Sequence, residues 1–318
     1  PFVEALRQLQ FASGPDNFYL IHVSLIPVVG TSKEQKTKPT QASVRELRSL
    51  GLIPDAICCR CIDSIHPSTK SKISMFCQVS TSNVIDVHDS KSMYLVPWRL
   101  HEEHLLQSIQ KKLKLPCPDP EMSVLGRWKR LGDVELSIDA CSSIPPIRIA
   151  IVGKYIQLHD AYSSIQKSLE HASIAWQRKV DIVWIDSVNL EHGENAKKNA
   201  NIPSPESSFQ IAEGLLQSAH GIIVPGGFGE RGTEGKIYAC NYARMNNIPF
   251  LGICLGFQLA VVEFCRNVLG FTGANSSELA PNTPYPVIIP MPEISTTHMG
   301  GTMRLGSRAT NLVGESMI

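Results

Sequence analysis

The stretch IPFLGICLGFQLAVVEF, residues 248–264, places a cysteine between two glycines where a short apolar run ends and an apolar helix is predicted to begin. A strand that turns sharply into a helix is typical of the nucleophile elbow, in which flanking glycines relieve crowding around a strained central residue. The following helix N-terminus also favours a thiolate. The pattern predicts that Cys254 stands clear of the strand as a nucleophile, and a buried thiol in a hydrophobic strand is the alternative.

A second glycine-rich segment, VPGGFGERG at 224–232, follows another apolar run, and Cys254 comes 27 residues after Gly227. A glycine pair at a strand end can direct backbone N–H groups at an oxyanion that develops during a reaction. A flexible turn is the alternative for this segment taken alone. The two segments together indicate a covalent catalytic site more specifically than either one does.

The chain around these segments alternates strand-like and helix-like stretches. In the second half, the strands IRIAIVG, VDIVWID, HGIIV and PFLG are separated by helical patterns, which predicts a doubly wound α/β fold with its site at the carboxyl ends of the strands. The first third alternates similarly, and EEHLLQSIQKKLKL at 102–115 is predicted to be one helix. Prolines near 116–122 and 142–148 bound a linker containing one helix, VLGRWKRL.

Composition excludes several classes of protein. Lys and Arg number 30 against 29 Asp and Glu, so the net charge gives no reason to expect a nucleic-acid or membrane surface. No stretch reaches the roughly 18 apolar residues of a membrane helix. The nine cysteines are irregularly spaced, and three of them lie in the apolar run AICCRCI, where buried free thiols are favoured over metal ligands. Together these features predict a cytoplasmic protein.

Four segments of the second half, PGGFGERGTEGK, LGICLGFQLA, GANSSE and MGGTMRLG, resemble the class I glutamine amidotransferase domain of the CTP synthase family. The stretch HVSLIPVVGTSKEQKTKPTQASVRELRSLG, residues 22–51, resembles the synthetase domain of the same family, including its signature KTKPTQ. The segment at 291–306, MPEISTTHMGGTMRLG, is more similar to eukaryotic than to bacterial members. The resemblance covers nearly the whole chain.

The resemblance implies three regions. Residues 1–115 would be the C-terminal half of a P-loop-type amidoligase (synthetase) domain, 116–146 a linker, and 147–318 a flavodoxin-like class I glutamine amidotransferase domain that is incomplete at its C-terminus. The implied reaction is the ATP-dependent amination of UTP to CTP, with ammonia from glutamine hydrolysis. Magnesium as cofactor, GTP as activator, CTP as feedback inhibitor, and a homotetramer that can form filaments are implied as well.

The resemblance also assigns roles in the glutaminase half. Cys254 would form the glutamyl thioester. Backbone groups of Gly226, Gly227 and Leu255 would stabilise the oxyanion, and Gln258 and Glu278 would hold glutamine. Without the resemblance, a helix cap or a surface position is the alternative for Glu278.

In the synthetase half, the implied UTP- and CTP-binding residues are Lys36, Thr37, Lys38, Pro39, Thr40, Gln41 and Lys72. The lysines suit a triphosphate as point charges, and Pro39 would stiffen the loop, although a lysine-rich loop taken alone is usually only solvated. The segment VHD, made of Val87, His88 and Asp89, would contact the ATP base, and a plain strand end is the alternative. His101 and His104, three residues apart on the predicted helix, lack a third ligand and are interpreted as exposed helix residues.

Members of the family carry a P-loop and magnesium ligands before the position of Pro1, and a catalytic His-x-Glu pair after MGGTMRLG. His298 lies before that glycine pair. Because loss of a triad base can cost several orders of magnitude in rate, we expect this chain neither to make CTP nor to hydrolyse glutamine efficiently. Two further hypotheses remain: a different class I glutamine amidotransferase, and a non-catalytic binding or assembly subunit.

Overall fold

The computed structural model describes residues 2–31, 33–116, 122–141, 143–191 and 205–290. The chain divides into two compact units, residues 1–145 with 170–179, and residues 146–169 with 180–318. Both units contain a parallel sheet with helices between the strands, so the predicted α/β class is confirmed. In the described part of the chain, no helix is long and apolar enough to cross a membrane.

The first unit is built on a three-stranded parallel sheet with the order β1-β4-β5, beside a two-stranded antiparallel hairpin, β2-β3. The central strand, β4, has the sequence AICCR and pairs on both edges. It is buried except at Arg60, because Ile57 and Cys59 pack in one core cluster while Ala56 and Cys58 pack in another. Its cysteines, like Cys61, are buried free thiols, as the sequence predicts. The strands are β1 (Ile21–Leu25), β2 (Val28–Val29), β3 (Glu34–Gln35), β4 (Ala56–Arg60) and β5 (Val84–Asp86).

The helices of this unit correct two predictions. The segment Lys38–Thr40, predicted to be loop, belongs to the first turn of α2, where proline is favoured because its missing N–H needs no partner there. The predicted single helix at 102–115 is broken at His104, which has φ 57° and separates α4 from α5. The helices are α1 (Phe2–Ser13), α2 (Lys38–Ser49), α3 (Pro67–Cys77), α4 (Val96–Glu102), α5 (Leu105–Leu113) and α6 (Met122–Ala140).

Because of that break, His101 and His104 do not share a helix. The helix predicted as VLGRWKRL is longer than its pattern suggests, since α6 has 19 residues. It packs within the first unit, where Trp128 lies against Tyr94 with ring centroids 6.1 Å apart.

The second unit is a four-stranded parallel sheet with the order β7-β6-β8-β9. This is the strand order of a flavodoxin-like fold, in which ligands bind beyond the carboxyl ends of the strands. The strands and helices, in chain order, are β6 (Ile147–Gly153), β7 (Val180–Asp186), α8 (Pro205–Gln217), β8 (Gly221–Val224), α9 (Thr233–Met245), β9 (Phe250–Gly252) and α10 (Leu255–Asn267). Helix α7 (Ser163–Trp176) comes between β6 and β7 in sequence, and its residues from Glu170 onward belong to the first unit. Two short strands, β10 (Asn275–Ser276) and β11 (Pro286–Ile288), pair with each other after α10.

An ion pair between an exposed arginine and a buried glutamate joins the two helices that follow the glycine-rich segments. Arg244 on α9 donates from Nε to both carboxylate oxygens of Glu263 on α10, at 3.1 Å each, and from Nη2 at 2.7 Å. Glu263 is 2 % exposed, and Asn267 donates to the same carboxylate. The pair fixes the position of α9 relative to α10, and so of the two loops that lead into these helices.

We predict that Arg244→Met lowers the free energy of unfolding by about 2 kcal/mol, because it leaves the buried Glu263 carboxylate without its guanidinium donor. Urea denaturation followed by circular dichroism measures the change. The double variant Arg244→Met/Glu263→Leu should recover most of the loss, since an apolar pair of similar volume needs no charge compensation. A loss below about 1 kcal/mol in the single variant would contradict a structural role for the pair.

Candidate active site

The elbow predicted from GICLG is present. Cys254 lies between the end of β9 and the first residue of α10, with φ 52° and ψ −109°, a combination that a non-glycine residue adopts only under strain. Its thiol is exposed, whereas the other cysteines of the described residues are buried, apart from Cys141. The structure therefore favours the nucleophile interpretation over a buried strand thiol.

The two flanking glycines are required by close backbone contacts. A Cβ atom on Gly256 would lie 1.9 Å from the carbonyl oxygen of Val224, and one on Gly252 would lie 2.7 Å from the backbone nitrogen of Phe257. Neither contact can relax by side-chain motion, because backbone atoms make it. The glycines thus allow β9, α10 and β8 to approach closely enough to hold the turn at Cys254.

The glycine pair of the first loop lies beside the cysteine. Strands β8 and β9 pair with Val224 opposite Gly252, and the Ile253 N–H donates to the Val224 carbonyl at 2.9 Å. Gly226 lies two residues beyond this pairing, as Cys254 does, and a Cβ built on Gly226 would be 3.5 Å from the Cys254 Cβ. The register of the sheet therefore brings the two predicted segments together.

The three predicted oxyanion donors share one backbone feature. Among the described residues, the backbone N–H groups of Gly226, Gly227 and Leu255 donate no hydrogen bond. Leu255 is the first residue of α10, where N–H groups have no partner within the helix. The arrangement can stabilise negative charge that develops beside the thiol, and one such donor is worth about 3–4 kcal/mol in a transition state.

The two predicted glutamine-binding residues lie on different elements. Gln258 is in the first turn of α10, its N–H donates to the Cys254 carbonyl at 3.1 Å, and its side chain is half-buried. Glu278 lies in the turn after β10, is exposed, and uses its backbone N–H to bond the Ser276 hydroxyl. Leu279, its neighbour, packs against the apolar cluster that contains Leu255, which brings this turn to the side of α10.

Two buried lysines beneath the glycine loop were missed by the sequence reasoning. Lys236 on α9 is completely buried, and its Nζ donates to the Pro225 carbonyl at 3.4 Å. Lys154, just after β6, is 8 % exposed and donates to the carbonyls of Phe228 and Gly229 at 2.9 Å each. A sequence signal existed for Lys236, because it shares the spacing of the buried residues 240 and 243 on an otherwise apolar helix face.

Burial alters the acidity of both lysines. Desolvation, followed by the nearby charge of Lys154, lowers the pKa of Lys236 to about 8. Desolvation, followed by the charge of Arg231, lowers the pKa of Lys154 as well. Two ammonium groups thus lie close together under one loop and bind its backbone carbonyls, and the charges of Glu191 and Asp186 oppose the lowering of the Lys154 pKa.

In the first unit, the structure places the KTKPTQ residues at the start of α2. Lys36 is paired with Glu34 at 2.6 Å, and Thr37 accepts a hydrogen bond from Gln41 at 3.0 Å. Thr40 is buried, where its hydroxyl bonds that of Ser24 at 2.8 Å. Lys38 and Pro39 are exposed.

Lys72 lies on α3, outside this segment, but it is close enough to Glu34 for its charge to act on the carboxyl that Lys36 binds. The Glu34 carboxyl has a lowered pKa, first because Lys36 donates a hydrogen bond to it, and with a smaller contribution from the charge of Lys72. The fold therefore brings Lys36 and Lys72 near the exposed carboxylate of Glu34. Two cations held near one surface can bind a polyphosphate, in competition with Glu34.

The VHD segment continues β5. The Val87 side chain is buried in a core cluster with Ile85, so only its backbone is free for a ligand. The His88 ring bonds the Asp86 carboxylate at 3.1 Å, and Asp89 pairs with Arg60 at 2.6 Å. The protein itself therefore holds all three residues.

Comparison with known proteins extends these observations. The family model for the N-terminus of CTP synthase matches residues 1–115, and that for class I glutamine amidotransferases matches residues 157–317. The chain belongs to the CTP synthase family. Its second unit is accordingly a class I glutamine amidotransferase domain.

Relatives in this family match along the whole chain. CTP synthase of Dictyostelium discoideum is 49% identical over 98% of the chain and 54% of its own length, and human CTP synthase 1 is 49% identical over 98% and 50%. The chain thus spans about half the length of the curated relatives it matches. A solved structure, the glutaminase domain of Trypanosoma brucei CTPS with bound acivicin, is 42% identical, covers 48% of this chain and 53% of that one, and superposes with a TM-score of 0.40.

We predict that Gly256→Ala unfolds or strongly destabilises the second unit, by about 3 kcal/mol or more, because its Cβ would overlap the Val224 carbonyl. Thermal denaturation measures the loss. Gly214→Ala is the matched control, since Gly214 lies within α8 with nothing within 4 Å of its Cβ position. The control should be stabilising by up to about 1 kcal/mol, and equal effects at both sites would show that the close contact is not structural.

Proposed function

We propose that the chain belongs to a CTP synthase that aminates UTP to CTP with ammonia from glutamine and energy from ATP. The observation that carries the proposal is the exposed, strained Cys254 beside three backbone N–H groups that donate no hydrogen bond within the described residues, on a chain whose first 115 residues match the CTP synthase N-terminus. That match argues against a different amidotransferase. It is also the reason to assign a synthetase role to the first unit.

In the glutaminase half-reaction, the Cys254 thiolate adds to the carboxamide carbon of glutamine. A C–S bond forms, and the C=O electron pair moves to oxygen, where the N–H groups of Gly226, Gly227 and Leu255 bind it. The oxyanion then collapses, and the nitrogen leaves as ammonia after taking up a proton. Water hydrolyses the resulting thioester to glutamate and restores the thiol. Gln258 and Glu278 hold the substrate, with Glu278 opposite its ammonium group.

In the synthetase half-reaction, the first unit binds the nucleotides. We assign the UTP triphosphate, and CTP as inhibitor, to Lys36, Lys38 and Lys72, with Thr37, Pro39, Thr40 and Gln41 shaping the site. We assign the ATP base to Val87–Asp89. Phosphate from ATP activates the 4-oxygen of UTP, and ammonia displaces it, giving CTP, ADP and phosphate.

Further elements of the proposal rest on the family. GTP would activate the enzyme, and the protein would assemble as a homotetramer capable of forming filaments. The described residues contain no group of three or more His, Cys, Asp or Glu side chains that could hold a metal, so we assign no residue of this chain to magnesium. The buried free thiols are consistent with a reducing compartment, and we propose the cytoplasm.

We keep the boundaries that the prolines indicate, with a synthetase region at residues 1–115, a linker at 116–146 and the amidotransferase domain at 147–318.

The His-x-Glu pair of the family would follow the segment at 299–306, which lies outside the described residues, as does His298. The proposed roles of Cys254 and of the nucleotide-binding residues can be tested separately. Alkylation of Cys254 does not require the catalytic base of the His-x-Glu pair, and nucleotide binding does not require glutamine.

A chloroketone analogue of glutamine should alkylate Cys254 selectively, because its carbonyl can occupy the oxyanion site while the thiolate displaces chloride. We expect Cys254 to react at least roughly tenfold faster than Cys141, the other exposed thiol of the described residues. Peptide mapping by mass spectrometry measures both rates. Glutamine should protect Cys254, and asparagine should not.

Cys254→Ser should abolish this labelling, while Cys141→Ser should leave it unchanged. Iodoacetamide, which carries no glutamine side chain, should alkylate both exposed thiols at similar rates. If the chloroketone showed no preference for Cys254 over Cys141 in the wild-type chain, the proposed glutaminase role would be wrong.

UTP or CTP should raise the melting temperature of the chain by a few degrees, since a ligand at a hundred times its Kd stabilises by about 2.7 kcal/mol. Differential scanning fluorimetry measures the shift, with uridine as the ligand that lacks phosphates. Lys36→Ala and Lys72→Ala should reduce the shift, and Lys111→Ala, an exposed lysine of the same unit, should retain it. Equal shifts in all three variants would contradict the assigned triphosphate site.

A further inference from the structure

Lys236 has a position that packing alone does not explain. It is the largest side chain of the described residues that is completely buried, yet it carries an ammonium group and makes one hydrogen bond, of 3.4 Å, to the Pro225 carbonyl. A methionine would fill the same volume without the cost of desolvating a charge. Retaining a buried charge at such a site points to a function for the ammonium group.

The hydrogen bond acts on the peptide that leads into the glycine pair. The peptide bond between Pro225 and Gly226 is planar and trans, so its carbonyl oxygen and its N–H point in opposite directions. Holding the Pro225 oxygen toward Lys236 therefore turns the Gly226 N–H away from the helix. Gly226 itself lies beside Cys254, at 3.5 Å between Cβ positions.

The ammonium group is also close to the rest of the loop. A Cβ built on Gly227 would lie 3.5 Å from the Lys236 Nζ. Lys154 holds the far end of the same loop through the carbonyls of Phe228 and Gly229. The loop from 225 to 229 is thus held at both ends by buried ammonium groups bound to its carbonyls, and within the described residues its N–H groups donate no hydrogen bond.

We propose that Lys236 is a positioning residue of the glutaminase site: its buried ammonium group holds the Pro225 carbonyl, keeps the Gly226 N–H available to the oxyanion, and adds positive charge beneath the glycine pair. The inference rests on the proposed function of Cys254. It assigns Lys236 no contact with glutamine and no proton transfer. It predicts that a neutral residue of the same shape keeps the fold and weakens recognition of the oxyanion.

The charge of Lys236 depends on pH within a measurable range. Its pKa is lowered to about 8, and the charged or titratable groups that act on it are Lys154, Cys240 and Cys254. Burial, followed by the charge of Glu263, raises the pKa of Cys240 to about 12, so that thiol stays neutral through pH 9. Loss of the Lys236 charge above pH 8 should therefore weaken oxyanion recognition as the pH rises.

Stability should change with pH in the opposite direction. The folded-state pKa of Lys236 lies below the ordinary lysine value of 10.5, so the unfolded chain binds more protons between pH 8 and 10.5. The free energy of unfolding contributed by this group consequently rises over that window. If Lys236 served only packing, the free energy of unfolding could still rise with pH, but oxyanion recognition at Cys254 would not fall over the same pH range.

The test uses Lys236→Met in the full chain, with the glutamine chloroketone and iodoacetamide as the two probes of Cys254. The quantity measured is the ratio of their second-order rate constants, because the ratio cancels the reactivity of the thiol itself. We expect the ratio at pH 7 to fall about tenfold in the variant, less than for removal of a whole oxyanion donor. In the wild type the ratio should fall as the pH rises from 7 to 9, and in the variant it should stay flat.

Cys240→Ala is the matched control, since residue 240 lies one turn further along the same buried helix face and its loss also disturbs the core. Lys236→Met should keep or raise the melting temperature, whereas Cys240→Ala should lower it and keep the ratio. A ratio within twofold of wild type in Lys236→Met, or an equal loss in Cys240→Ala, would overturn the proposal. Absence of any chloroketone preference in the wild type would instead show that the proposed function has failed, and the inference with it.

Discussion

The candidate active site depends on the register between β8 and β9. Val224 pairs with Gly252, so the residues two places beyond each of them, Gly226 and Cys254, lie side by side at the carboxyl edge of the sheet. A shift of one residue would turn the side chains of β9 to the opposite faces and separate the thiol from the glycine loop. The close contact of Gly256 with the Val224 carbonyl holds this register, because no larger residue fits there.

Much of this arrangement could be predicted from the sequence because its signals are local. Continuous apolar runs identified the parallel strands of both units, and the glycines around Cys254 identified a turn whose contacts exclude side chains. The start of α2 was harder to predict, because Pro39 is compatible with a stiff loop and with the first turn of a helix, and tertiary context decides between them. The break at His104 has no such signal, since a histidine with positive φ is not marked by its neighbours.

The buried lysines show a different limit of sequence reasoning. A lysine is normally assigned to the surface, and a residue-by-residue reading gives no reason to bury one. Only the three-dimensional structure shows that Lys236 and Lys154 approach the same loop from different elements, one from α9 and the other from the end of β6. The helical spacing of Lys236 with buried residues is a weak indication that Lys236 is buried. The hydrogen bond to the Pro225 carbonyl shows how its ammonium group is accommodated there.

The two lysines also explain how a glycine-rich loop can be ordered enough for the proposed catalysis. Glycine gives the loop freedom to approach Cys254 but loses the most conformational entropy when it is fixed. Ammonium groups bound to the carbonyls at both ends of the loop can hold it in one conformation. They bind carbonyl oxygens of the loop, so the constraint uses none of the N–H groups proposed to bind the oxyanion. The cost is a desolvated charge, which a more stable protein would avoid. A site that stabilises a transient oxyanion has reason to accept it, since preorganised dipoles and charges act without rearranging during the reaction.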